Sequence, residues 1–292
     1  MVAGADYNHA FIVGDADIFF PRQRCSAVYL YVILKENGVN MKKIWAIILI
    51  LIVFSIVVIW QINNNPSAIL ARLKEDANIN TGDLIFKINL FGIIPIGQAV
   101  MGKEKLEEYN GSKVYHLTTQ AQTSKAYSWL FNAHVNIDSF VDAQTLRTVF
   151  FKQRLSSPGK ESSEKDVYYD IKNNTMTLRG VQRQILPNTQ DPLSVIFNLR
   201  HMDFSKVNNF EMNINTNQKN YILRGLAREE NLAGDRKTFI VDTQIKRREN
   251  DPYHKSSVSI IFLKEKEENI PILIRVFASG ALITAKLVAV KH

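Results

Sequence analysis

The chain has 292 residues, 46% of them hydrophobic and 22% charged, with a formal net charge of +8 and one cysteine. That balance excludes a disordered tail and leaves material for one large packed domain or two small ones. The basic excess is dispersed, with Lys246-Arg247-Arg248 the one tight triplet, so no basic patch with interleaved aromatics marks a nucleic-acid binder. Mild basicity beside a membrane suits anionic lipid head groups better, and a solvated surface rich in Lys is the plainer explanation of it.

Residues 1–40 mix apolar and polar side chains without a helical period. Met41-Lys42-Lys43 and the apolar run behind it make a complete signal-anchor start. Met41 is therefore a candidate initiator and residues 1–40 a doubtful extension; the alternative is a small cytoplasmic tail with one or two strands. The only cysteine, Cys25, lies in this stretch. A chain starting at Met41 would have no disulfide, thiolate metal site or cysteine nucleophile.

Ile44 to Trp60 carry no charge, Pro or Gly, and Ser55 is the one polar side chain, able to bond back to a carbonyl one turn earlier. Roughly 17 residues at ~1.5 Å each span ~26 Å, the short end of what crosses a hydrocarbon core. Residues 41–62 are expected to be a single transmembrane helix. Lys42 and Lys43 hold its start in the cytoplasm and place the rest on the extracytoplasmic, periplasmic side. The bulky Ile59, Trp60 and Ile62 and the lack of an Ala-x-Ala site favour an uncleaved signal anchor.

Residues 63–81 form a linker. Asn63-Asn64-Asn65-Pro66 ends the membrane helix. Ser67 to Glu75 can form a short amphipathic helix with Ser67 as N-cap and Ile69, Leu70 and Leu73 on one side. From residue 82 to 292 the texture is β. Asp83 to Leu90 alternates, Phe91 to Gly97 is a tight connection, and Gln98 to Tyr109 returns. Asn110-Gly111 is the strongest hairpin signal in the chain. Lys113–Thr123, His134–Val141, Thr145–Leu155, Lys165–Ile171 and Thr175–Arg183 follow as strands, and Ala126 to Phe131 is aromatic and ambiguous.

Gln190 to Arg200 interrupts the strands. Asp191 stands at an N-cap position and Pro192 at the first helical one, a helix start signal. Leu193, Ile196, Phe197 and Arg200 fall three and four apart on one face, so a short buried helix is expected. Strands then run through 209–215, 220–228, 237–246, 257–263, 270–278 and 281–290, with Ser279-Gly280 turning the last pair. The fold class is all-β: a strongly curved antiparallel sheet or incomplete barrel of about eleven strands with one buried short helix, behind the single N-terminal transmembrane helix. No βαβ crossover is seen.

Three segments together resemble the bacterial envelope family of proteins of unknown function numbered 3108 (DUF3108): Leu84 to Ala99 with Gly92 and Gly97; Asp191-Pro192-Leu193-Ser194 leading to Leu199-Arg200; and Ile261 to Leu287 with Ile270-Pro271 and Gly280. Asp-Pro-Leu-Ser leading to Leu-Arg is the most specific of the three. Where the family often has Trp before the charged turn, Phe262 and its neighbours stand here. The resemblance implies a β-rich exported domain, similar to the half-barrel lipoprotein carriers, and no established chemistry.

No constellation calls for a cofactor or an enzyme. His116, His134, His201 and His254 are scattered without a nearby Cys, so no metal site is expected. Asp138, Asp142, Asp166 and Asp170 lie in or beside strands with no evident pairing, and neither a Gly-x-Ser-x-Gly nor a phosphate loop occurs. Candidate binding residues are Arg200, Asp191 and Ser194, each with a structural role to weigh against it. Asp191 would cap the helix. Arg200 would complement its dipole or bond strand carbonyls, unless it reaches an anionic head group in an apolar cavity. The expected function is non-enzymatic binding or transfer of a lipid, lipoprotein or lipid-linked glycan at the cytoplasmic (inner) membrane, with the membrane itself as partner. The alternative is a scaffold binding a partner chain through its sheet edges.

Overall fold

The computed structural model describes residues 49–51, 53, 55, 65–73, 82–129, 132–159, 161–216, 218–233, 236–247, 255–278 and 280–292. The chain divides into two units, 1–56 and 57–292. In the first, residues 49–51, 53 and 55 are helical, and Leu49, Ile50, Leu51 and Val53 are exposed. The Ser55 hydroxyl donates to the Leu51 carbonyl at 2.7 Å, the back-bond expected of it. Most of Ile44 to Trp60, and all of residues 1–40 with Cys25 and Met41, lie outside the described residues. Among the described residues no helix is long and apolar enough to cross a membrane.

The second unit starts with helix α1 (Pro66–Leu73). Its cap is not Ser67. Asn65 accepts the Ser67 N–H at 3.0 Å, while the Ser67 hydroxyl donates to the Leu232 carbonyl at 2.7 Å. Pro66 takes the first helical position, where its missing N–H costs nothing, and this moves the cap two residues upstream, to Asn65. Ile69 and Leu70 are buried against β-strands of the unit.

Fifteen strands among the described residues form one antiparallel sheet. The first half of the chain supplies β1 (Asp83–Leu90), β2 (Ile94–Met101), β3 (Lys105–Tyr109), β4 (Ser112–Thr123), β5 (His134–Asp142), β6 (Thr148–Ser156), β7 (Ser163–Asp170), β8 (Thr175–Leu178) and β9 (Val181–Gln184). After helix α2 (Pro192–His201) come β10 (Asn209–Thr216), β11 (Lys219–Ala233), β12 (Arg236–Arg247), β13 (Lys255–Glu265), β14 (Glu268–Ala278) and β15 (Ala281–Lys291). β15 pairs with β1, so the two halves run outward from the middle of the sheet, one wing ending at β9 and the other at β10. The sheet is not closed into a barrel. The segment before α2 does reach the β10 edge, where the Gln190 N–H donates to the Asn213 carbonyl at 2.8 Å and the Asn215 N–H to Gln190 at 2.9 Å.

The fifteen strands exceed the expected eleven or so: the segments read as strands already number thirteen, and two of them each fold as two strands. Gln98 to Tyr109 breaks at Gly102, where a Cβ would meet the Thr118 hydroxyl at 2.2 Å. Thr175 to Arg183 turns at Arg179-Gly180, both with positive φ. The first connection is also shorter than expected. Only Phe91 to Ile93 turn, and Pro95 sits inside β2 opposite Asn89, beside a register shift at Ile88/Asn89. A bulge is where a strand tolerates proline.

Helix α2 contacts β4 and β5 on one wing and β10 and β14 on the other, so the sheet curves around it. It buries two stripes rather than the one expected: Leu193, Phe197 and Arg200 on one side, Val195 and Leu199 on the other. Ile196 packs against the first side, as expected, and also lines the opening on the second. Ile260, Ile261, Phe262 and Leu263 are all at most 2% exposed, so β13 is covered on both faces and reads as a continuous apolar run instead of an alternating one.

Candidate ligand cavity

The ends of α2 fix everything around it. Asp191 has no solvent exposure and an extended backbone, as an N-cap requires. Its Oδ1 accepts the N–H groups of Leu193 at 2.7 Å and Ser194 at 3.1 Å. Its Oδ2 accepts the hydroxyls of Ser139 on β5 at 2.6 Å and Thr148 on β6 at 2.8 Å. The Ser194 hydroxyl donates to the Asp191 carbonyl at 2.9 Å and lies 2.8 Å from that of Thr148. One carboxylate therefore ties the helix start to two strands. Nearby, burial and then the Asp191 charge push the Tyr169 phenol far above its ordinary range.

At the other end, Arg200 donates from Nη1 to Glu104 Oε2 at 3.0 Å and from Nη2 to Glu268 Oε2 at 2.7 Å, with its side chain 6% exposed. These carboxylates, not strand carbonyls, are its partners. Glu104, Glu268 and His201 offer ligand atoms within 4.8 Å of one another. The guanidinium already holds both carboxylates, so a second cation there would meet its repulsion, and the cluster reads as an ion-pair lock. His116 bonds to Asp138 at 2.9 Å, and Asp142 and Asp170 close turns through backbone N–H groups. His254 lies outside the described residues.

An apolar opening lies on the second stripe of α2. A cavity of about 460 Å³ separates Pro192, Val195, Ile196 and Leu199 from strands β10 to β14. Strand residues two apart face it, as the pleat requires: Tyr221 and Leu223, Thr243 and Ile245, Val258 and Ile260, Ile274 and Val276. The Thr243 hydroxyl is satisfied by the Val258 carbonyl at 2.9 Å. Exposure grows along the strands. Leu223, Thr243 and Ile260 are buried, while Tyr221, Ile245, Ser256 and Val276 are partly exposed, which marks the open end. Arg200 and Ser194 are not among the residues lining this cavity; Arg200 lines a separate cleft of about 10 Å³ with Met101 and Gly102. Sequence reading found the helix but not the cavity, whose wall depends on which alternate residues of five strands face inward.

The turns at this end of the strands carry exposed apolar side chains. Phe277, opposite Ser257, precedes the β14–β15 turn, and the Phe91 N–H of the β1–β2 turn bonds to Leu282. Ser124 bonds to the Pro95 and Ile96 carbonyls, bringing the loop with Trp129 to the same end. Trp129 is 76% exposed, Phe277 50% and Phe91 49%.

A family model described as "Protein of unknown function (DUF3108)" matches residues 85–288. No curated protein matches the chain. Among solved structures, the crystal structure of a beta-barrel-like protein of domain of unknown function DUF1849 from Brucella abortus is similar. It shares 10% identity over 72% of this chain and 97% of that one, with a TM-score of 0.50. At that identity the likeness concerns the fold alone.

Proposed function

The chain belongs to the DUF3108 family, and from that premise we propose that it is a non-enzymatic carrier whose cavity between α2 and β10–β14 binds a hydrophobic envelope component: a lipid, a lipoprotein acyl chain or a lipid-linked glycan. The observation that carries this reading is the cavity itself. Its volume of about 460 Å³ falls within the ~300–1,000 Å³ typical of small-molecule sites, and aliphatic side chains from both helix and sheet line it. Among the described residues, its polar lining groups are hydroxyls, with no carboxylate, imidazole or thiol to move a proton.

Val258→Trp tests it by filling the space from the β13 wall. Native mass spectrometry of the detergent-extracted wild type is expected to show a bound mass that the variant loses, with little change in melting temperature. A wild type free of bound mass, or a variant that keeps it, sinks the reading.

The anchor belongs to the same proposal. Ile44 to Trp60 behind Lys42 and Lys43 supports a single pass through the cytoplasmic membrane with the β unit on the periplasmic side. The exposed Trp129, Phe91 and Phe277 at this end of the strands suit a surface that meets lipid, since aromatic side chains favour the membrane interface. Alkaline phosphatase fused to the carboxyl end is expected to be active and a fluorescent cytosolic reporter there dark; the reverse pattern rejects the placement.

The scaffold reading has one observation of its own. β9 ends the sheet with all four residues exposed, a strand edge open to a partner chain.

A further inference from the structure

Two cations follow the lining residues at the open end of the cavity. Cross-strand partners in an antiparallel pair stand on the same face of the sheet. Thr216 lines the cavity, and its partner across β10–β11 is Lys219. Tyr221 lines it too, and its partner across β11–β12 is Arg247. Lys219 and Arg247 therefore stand on the cavity face, each one step of the pleat beyond a lining residue, Tyr221 and Ile245 respectively. Both are partly buried, whereas Lys246 on the opposite face is exposed. A small adjoining cleft that shares Pro192 and Thr216 with the cavity adds Lys165. Among the described residues, the cavity-facing positions at this end hold no Asp or Glu.

We propose that the ligand is an anionic amphiphile, with one acyl chain in the cavity and a phosphate-bearing head held at the mouth by Lys219 and Arg247. This rests on the reading of the cavity as a ligand site and names the chemistry that the site selects. Long basic side chains lay their methylenes along apolar surface and keep the charge at the edge, which is the geometry an amphiphile needs. A guanidinium can grip two phosphate oxygens at once, and at the mouth of an apolar cavity that bond is less screened than in bulk water.

The test titrates the full-length protein with palmitoyl lysophosphatidylglycerol and with palmitoyl lysophosphatidylcholine, which share a chain and a phosphate but differ in net charge. The anionic lipid is expected to bind about tenfold more tightly, because the choline ammonium would bring another cation against Lys219 and Arg247. The double variant Lys219→Gln/Arg247→Gln is expected to lose that preference, with the anionic lipid losing the most affinity. Equal affinities in the wild type, or a preference that survives the double variant, overturn the head-group assignment and leave the cavity reading standing. Displacement of bound lipid by glycerol 3-phosphate at similar concentration also overturns it, since the site would then read free phosphate. Binding of neither lipid overturns both readings together.

Discussion

Arg200→Ala is expected to cost about 3 kcal/mol of folding stability and to leave the lipid retained per folded molecule unchanged. Removing one partner of a buried ion pair strands the other charge, at about 3–5 kcal/mol. The lower figure applies because the side chains of Glu104 and Glu268 remain 14% and 25% exposed and can recover some water. At roughly 2–4 °C per kcal/mol for a unit of this size, the melting temperature should fall by roughly 6–12 °C. Arg200→Lys should fall between, since an ammonium cannot span both carboxylates as the guanidinium does. Adding Glu104→Gln and Glu268→Gln to Arg200→Ala should restore part of the loss by removing the stranded charges. Thermal melts by circular dichroism, read beside native mass spectra, separate the outcomes. An unchanged melt with lost lipid would move Arg200 from the helix lock to the ligand.

The sequence shows what is local. Asn110-Gly111 predicts its hairpin because a tight turn needs positive φ at both positions, and both residues have it, at 52° and 78°. Arg179-Gly180 makes a turn with similar angles, 52° and 74°, but with Arg in the first position it lacks the usual signature. Asp191-Pro192 announces α2 because capping is written within a few residues. The wiring that makes the helix matter is not local. Arg200 finds its carboxylates 96 and 68 positions away, and Asp191 its hydroxyls 52 and 43 away. The cavity is less legible still. In β11 and β12 the apolar residues do not all fall on one set of alternate positions, and only the pairing of Tyr221 with Arg247 decides which set faces α2. That one register also separates Arg247, on the cavity face, from Lys246, its neighbour in the tight basic triplet.

Asp191→Ala should be the most disruptive single substitution around the helix. Loss of an N-cap side chain costs about 1 kcal/mol by itself. Here the same carboxylate also accepts the buried hydroxyls of Ser139 and Thr148, and a buried donor left unsatisfied costs about 1–3 kcal/mol. The sum is about 4 kcal/mol, or roughly 8–16 °C in the melt. Asp191→Ser divides it, because serine can still cap the helix but cannot reach the two strands. Replacing the hydroxyls as well, in Asp191→Ala/Ser139→Ala/Thr148→Val, should recover much of the second part, since removing both partners of a buried bond is nearly neutral. The helix is one wall of the cavity, so hydrogen exchange should quicken through Pro192–His201 in Asp191→Ala, and bound lipid should be lost with it. A variant that melts within a degree or two of the wild type would mean that the carboxylate does not hold the helix against β5 and β6. The wall opposite β10–β14 would then have to be fixed from the Arg200 end alone.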